Sequence, residues 1–253
     1  MRKLFIALTI ILFIFLSFSS CSCTAFPLRT SALHPATSFL FMESSVSVLS
    51  CVGEHCKVTN KGTSGSGFVA AASDKGAIGI TAGHVCSQPA EDRPYWLKIT
   101  TEKSSLKATL STGKSITAKV LAVYEKEDLC VFLLKGVYLP HIPVAYRAPQ
   151  YGEEVHTLAA PLGIYEPTAV PIFTGRYFGI FREEGVAAYS IPTIFGSSGS
   201  PILDSRGRLV GVTSKAFPAF PQVALSPKFK TVQYLVKSIR KGNLPYSLSG
   251  EGL

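Results

Sequence analysis

The 253 residues carry 25 Lys and Arg against 16 Asp and Glu, a formal charge of +9, with six cysteines. That length holds one large all-β unit or two small ones. Two of the cations, Arg2 and Lys3, sit at the extreme N-terminus, and others are scattered, as at Lys98, Lys103, Lys107, Lys114 and Lys119. No basic stripe is interleaved with aromatics, so a solvated surface is expected and no nucleic-acid partner.

Arg2-Lys3 is followed by an uncharged apolar run, Leu4 to Phe18, and then by Ser19-Ser20-Cys21-Ser22-Cys23, the three parts of a secretory signal over residues 1–23. The run falls short of the about 20 apolar residues that span a bilayer, so export to a secreted, periplasmic or envelope location is expected. Phe18-Ser19-Ser20-Cys21 also fits a loose lipoprotein signal with Cys21 as lipid acceptor, and a retained segment would be a membrane anchor. Residues 24–48, with Pro27 and Pro35 and no clean period, read as a linker or extended segment.

From residue 49 the chain reads as a folded domain reaching residue 253. Strand-like runs cover Gly67–Ala72, Ala77–Thr81, Tyr95–Thr100, Ile116–Tyr124 and Leu129–Leu134, forming one unit over about 49–138. Leu139–Gln150, rich in proline, is a connection. A second unit over about 150–228 holds Glu154–Ala159, Ala169–Phe181, Val186–Ile191, Pro201–Leu203 and Leu209–Lys215. Val232, Leu235, Val236 and Ile239 then share one face of a closing helix over about 229–241, with Lys237, Arg240 and Lys241 in its last turns. Many short strands between Gly/Pro turns argue for barrels or a sandwich over an α/β sheet. Cys51 and Cys56 bracket a polar turn that a disulfide could close. With His55 they make one cluster without a second ligand pair, so no metal is expected.

Four segments carry chemistry. Gly196-Ser197-Ser198-Gly199-Ser200-Pro201 places a serine in a tight loop before an apolar strand, where backbone N–H groups can converge on a tetrahedral oxyanion. Thr81-Ala82-Gly83-His84 ends an apolar strand in a small-residue turn, Asp128 leads into the apolar Leu129–Leu134, and Leu209-Val210-Gly211-Val212-Thr213-Ser214 follows the serine loop. In this order they resemble the trypsin-like, chymotrypsin-fold serine proteases, similar to compact HtrA-like and viral members without a PDZ domain, over roughly Gly65 to Lys241.

The resemblance implies two packed six-stranded antiparallel β-barrels with a C-terminal helix. It implies an endopeptidase with Ser198 as nucleophile, His84 as general base and Asp128 orienting the histidine, the N–H groups of Gly196 and Ser198 forming the oxyanion hole, and no cofactor. Ser198 has glycine at both −2 and +1. His34, His55 and His141 lie in irregular segments and His156 begins a strand. Asp74 precedes His84, Asp204 follows Ser198 and Asp92 falls in a polar loop, leaving Asp128, with Glu127 turned away by strand alternation. Peptide substrates would pair as an extended strand with Thr213, Ser214, Lys215 and Ala216, over a pocket floored by Pro192 and Thr193. The lack of an acid there implies small or medium aliphatic P1 residues. Ser197 stands where zymogens of the family keep an activating aspartate, so no activating cleavage is expected. If the triad assembles, Cys86 and Cys130 become neighbours, either bridged or simply two small buried residues. The motifs alone leave open an esterase with the same triad and a catalytically silent binding module.

Overall fold

The first strand, β1 (Phe39–Val52), alternates buried Met42, Ser44 and Val46 with exposed Glu43 and Ser45, the period of a sheet with one covered face. It starts inside the segment read as linker, so the first barrel begins ten residues earlier than the expected boundary at 49. Ser44 on its inward side interrupts the apolar period. The computed structural model describes residues 35–52, 55–87, 98–182, 184–217 and 220–248. The signal-like segment, Cys21, Cys23, His34, Asp92 and Glu183 lie outside the described residues, as does the start of the run expected at Tyr95–Thr100.

β1 hairpins into the long β2 (His55–Ser73), register Phe39↔Phe68 to Val52↔His55. There follow β3 (Gly76–Ala82), a one-turn helix α1 (Gly83–Cys86), β4 (Lys98–Thr109), β5 (Ser115–Tyr124) and β6 (Leu129–Lys135). These strands close in the order β1-β2-β3-β6-β5-β4 into an antiparallel barrel. Register shifts at Val69/Ala71, Leu49/Ser50 and Val120/Ala122 supply bends that closure needs. Leu40, Met42, Val69, Leu106, Ala108, Phe132 and Leu134 fill it.

The second unit comprises β7 (Glu154–Leu158), β8 (Ile172–Phe181), β9 (Val186–Tyr189), β10 (Pro201–Asp204), β11 (Leu209–Val212), β12 (Lys215–Phe217) and β13 (Phe220–Pro227), ordered β11-β10-β7-β8-β9-β13-β12. It is a curled seven-stranded sheet where six strands were expected. Its ends approach through the Val212 N–H on Ser226 Oγ (2.9 Å) and the Ser214 N–H on Leu225 O (2.9 Å). The run expected as one strand to Lys215 breaks at Thr213-Ser214, which places β12 at the sheet's edge.

Helix α2 (Phe229–Arg240) buries Val232, Leu235, Val236 and Ile239 in a core shared with Phe39, Phe68, Ile80 and Leu129 of the first barrel and Leu158, Leu203 and Leu209 of the second. The Arg240 guanidinium donates to Ala70 O (3.1 Å) and Ile142 O (2.8 Å), tying α2 to β2 and to the connection between units. Burial pulls its pKa below the usual arginine value.

Candidate active site

The turn before β6 puts Asp128 in the left-handed region (φ 51°), a conformation that aspartate tolerates better than most residues. Held there, its carbonyl accepts the Gly83 N–H (2.9 Å) and its Oδ1 accepts the His84 N–H (2.9 Å). His84 Nδ1 lies 3.0 Å from Oδ1 and 2.9 Å from Oδ2. The histidine side chain is 44% exposed and the aspartate side chain 12%, so a largely buried carboxylate holds a ring that opens to solvent. A disulfide Cys86–Cys130 joins α1 to β6 within two residues of each partner. A second, Cys51–Cys56, closes the tip of the β1–β2 hairpin.

Ser198 lies in the loop between β9 and β10, and it lines with His84 a cavity of about 500 Å³. The loop is pinned from several sides. Gly199 N–H donates to Thr213 O (2.7 Å), Thr213 N–H to Ser200 O (2.9 Å) and Ser66 N–H to Ser198 O (2.7 Å). Phe195 O accepts from the Leu162 N–H (2.6 Å) and Ser197 O from the Ser200 N–H (3.1 Å). In a trans peptide the C=O and the following N–H point oppositely. The N–H groups of Gly196 and Ser198 therefore point away from those partners, and neither has a hydrogen bond among the described residues. Gly196 adopts φ +91°, and a Cβ there would run into Ala160 O, so the position requires glycine.

The remaining cavity wall is Thr63, Ser64, Thr193, Ile194, Phe195, Gly196, Ser214, Lys215, Ala216, Phe217 and Pro221. Of the residues expected to bind substrate, Thr193, Ser214, Lys215 and Ala216 are there. Pro192 and Thr213 do not line it; Thr213 is buried at 1% and spends its backbone on the serine loop. Ile194, Phe195, Phe217 and Pro221 were not expected. The last two belong to the β12–β13 hairpin, whose prolines disguise it as loop in the sequence.

The other candidates are placed elsewhere. Asp204 caps the β10–β11 turn, accepting from the N–H groups of Arg206 and Arg208 (both 2.9 Å) and pairing with the Arg208 side chain (2.7 Å). Asp74 sits in the β2–β3 turn, and Glu127 lines a different cavity with Lys126 and Glu184. His55 is exposed on the hairpin arm and His156 bonds Thr174 Oγ1 (3.0 Å). His141 lies in the connection, its pKa lowered by burial and then by the charge of Arg240.

A closed barrel and a curled partner sheet, with an aspartate-held histidine and a glycine-flanked serine lining one cavity, define the chymotrypsin-like class. The family model of the trypsin-like peptidase domain matches residues 65–212, more than half of the chain, and the chain belongs to that family. Among solved structures it is similar to the serine endoprotease from Yersinia pestis, with TM-score 0.57 and 18% identity, covering 82% of this chain and 64% of that one. At that identity the likeness shows the fold, and the chain spans under two thirds of that structure's length. No curated protein matches the sequence.

Proposed function

We propose that the chain is a serine endopeptidase acting through an acyl-enzyme on Ser198. The observation that carries this is the pairing of His84 Nδ1 with the buried Asp128 carboxylate at the wall of the cavity that Ser198 lines. An ionised carboxylate only accepts hydrogen bonds, so Nδ1 keeps its hydrogen and Nε2 is the basic nitrogen. In this reading Nε2 takes the Ser198 proton as Oγ attacks the scissile carbonyl. The N–H groups of Gly196 and Ser198 receive the resulting oxyanion, and His84 returns the proton to the leaving amine. Water repeats the sequence on the acyl-enzyme and releases the acid.

The substrate would add as a strand to the outer edge of β12, its backbone exchanging hydrogen bonds there. The cavity wall at Thr193, Ile194, Ala216, Phe217 and Pro221 offers a P1 side chain apolar contact, and no carboxylate lines it. A lysine or arginine would enter without a counter-charge and lose its hydration, so small or medium aliphatic P1 residues are preferred. Two disulfides support an oxidising, exported location.

Labelling by a fluorophosphonate tests the reading: the wild type reacts and Ser198→Ala does not, with turnover of a peptide substrate falling by about 10⁶. Retained hydrolysis by Ser198→Ala overturns the nucleophile assignment. A P1-varied peptide library checks the pocket, where a preference for arginine or lysine would refute the aliphatic assignment.

A further inference from the structure

Two peptide units meet at Gly196, one of the two glycines whose rotational freedom shapes the serine loop. The 195–196 unit is fixed by the Leu162 N–H on Phe195 O (2.6 Å). The 196–197 unit is held on its N–H side by Ile194 O, which accepts from Ser197 (2.9 Å), and on its carbonyl side by the Ser66 hydroxyl, which donates to Gly196 O (2.8 Å) while accepting the Ala160 N–H (3.0 Å). Ser66 is fully buried in β2 and all its polar groups are engaged: its N–H holds Ser198 O (2.7 Å) and its carbonyl accepts the Thr81 hydroxyl (2.7 Å). One side chain thus grips the nucleophile loop between the two N–H groups assigned to the oxyanion and ties it to the loop after β7. Leu162 holds its end of the grip in a left-handed conformation (φ 54°), although its side chain is 64% exposed. Non-glycine residues persist in that region only where surrounding structure enforces it.

We infer that the Ser66 hydroxyl and the Leu162 backbone form a bracket that fixes the Gly196 N–H toward the cavity, preforming the anion hole with groups internal to the fold. The two are positioning residues, acting through Gly196, and the inference rests on the peptidase reading above. Removing the Ser66 hydroxyl leaves the 196–197 peptide held on one side only, by the Ser197 N–H on Ile194 O (2.9 Å), and loosens its aim, so the cost falls on the oxyanion and not on substrate binding. Deleting an oxyanion donor outright costs about 10²–10³ in rate, and a donor that is present but loosely aimed costs less, about 10–100-fold.

The experiment compares wild type, Ser66→Ala and Ser66→Cys, with Thr157→Ala as control. Thr157 is another buried hydroxyl, donating to Pro201 O (2.8 Å) just past the loop. The readouts are kcat and KM on a peptide ester, thermal midpoint, and affinity for two probes, acetyl-Ala-Ala-leucinal and the matching leucinol. The aldehyde adds to the serine and presents an oxyanion, and the alcohol cannot. Ser66→Ala is expected to lower kcat and aldehyde affinity together by about 10–100-fold, with KM and leucinol affinity within about twofold. Ser66→Cys, a weaker donor on the same stem, falls between. Thr157→Ala shifts the thermal midpoint without the aldehyde-specific loss. A Ser66→Ala variant that folds and keeps wild-type aldehyde affinity overturns the bracket alone, as does an equal aldehyde-specific loss in Thr157→Ala. A wild type that neither binds the aldehyde nor reacts with fluorophosphonate overturns the peptidase reading and the bracket with it.

Discussion

Asp128 fixes His84 through three contacts at once, the carbonyl on Gly83 N–H and the carboxylate on both the His84 N–H and ring. The ring nitrogen bond sets the tautomer. Asp128→Asn presents an amide that can donate to Nδ1 and favours the wrong tautomer, so turnover should fall by about 10⁴ while circular dichroism stays unchanged. Loss of the fold would instead assign Asp128 to stability. Gly83 is nearly as constrained, since a Cβ there would lie 3.0 Å from Asp128 Oδ1 and 3.1 Å from its carbonyl carbon. Gly83→Ala should displace the pair slightly and cost about tenfold in kcat, read beside an unaltered KM. At this scale the candidates His84, Asp128 and Ser198 could be singled out because family-like motifs marked two of them and elimination among the aspartates left the third. Ser66 and Leu162 were not, because their contribution is a hydrogen bond to a backbone carbonyl 130 and 33 residues away, which no local pattern encodes.

Among elements, α1 and β6 carry the two members of the paired site, and Cys86–Cys130 joins them. The bridge spans 44 residues of sequence, for which loop-closure entropy gives a stabilisation of about 4 kcal/mol, commonly less in practice. Cys86→Ala with Cys130→Ala should therefore lower the denaturant midpoint by an equivalent of about 2–4 kcal/mol and reduce kcat, because α1 loses its tether. Removing Cys51–Cys56, which closes a separation of only 5 at the hairpin tip, should cost less and leave kcat alone. Equal kinetic losses would mean that the Cys86 bridge does not steer the histidine. Strands with clean apolar runs, such as β3 and β6, were readable. β1 and β13 were not, the one for the inward Ser44 and the other for Pro221 and Pro227, although β13 supplies Pro221 to the cavity wall.

Across the whole molecule the cavity lies where the two units meet, so its geometry depends on what joins them. The shared core under α2 and the Arg240 bonds to Ala70 O and Ile142 O are that joint. Hydrogen bonds to charged groups contribute about 1.5–3 kcal/mol each, and removing the donor leaves two carbonyls short of a partner. Arg240→Met keeps most of the apolar stem and deletes the donor. It should lower stability by about 2–4 kcal/mol while leaving one cooperative transition, since both units bury surface in the same core. Far-ultraviolet circular dichroism and residual hydrolysis, followed along one guanidinium titration, should give superimposable curves shifted to lower midpoint. If hydrolysis is lost well before the dichroism changes, the units separate before either unfolds, and the joint at Arg240 governs the site's assembly more than the stability of the chain.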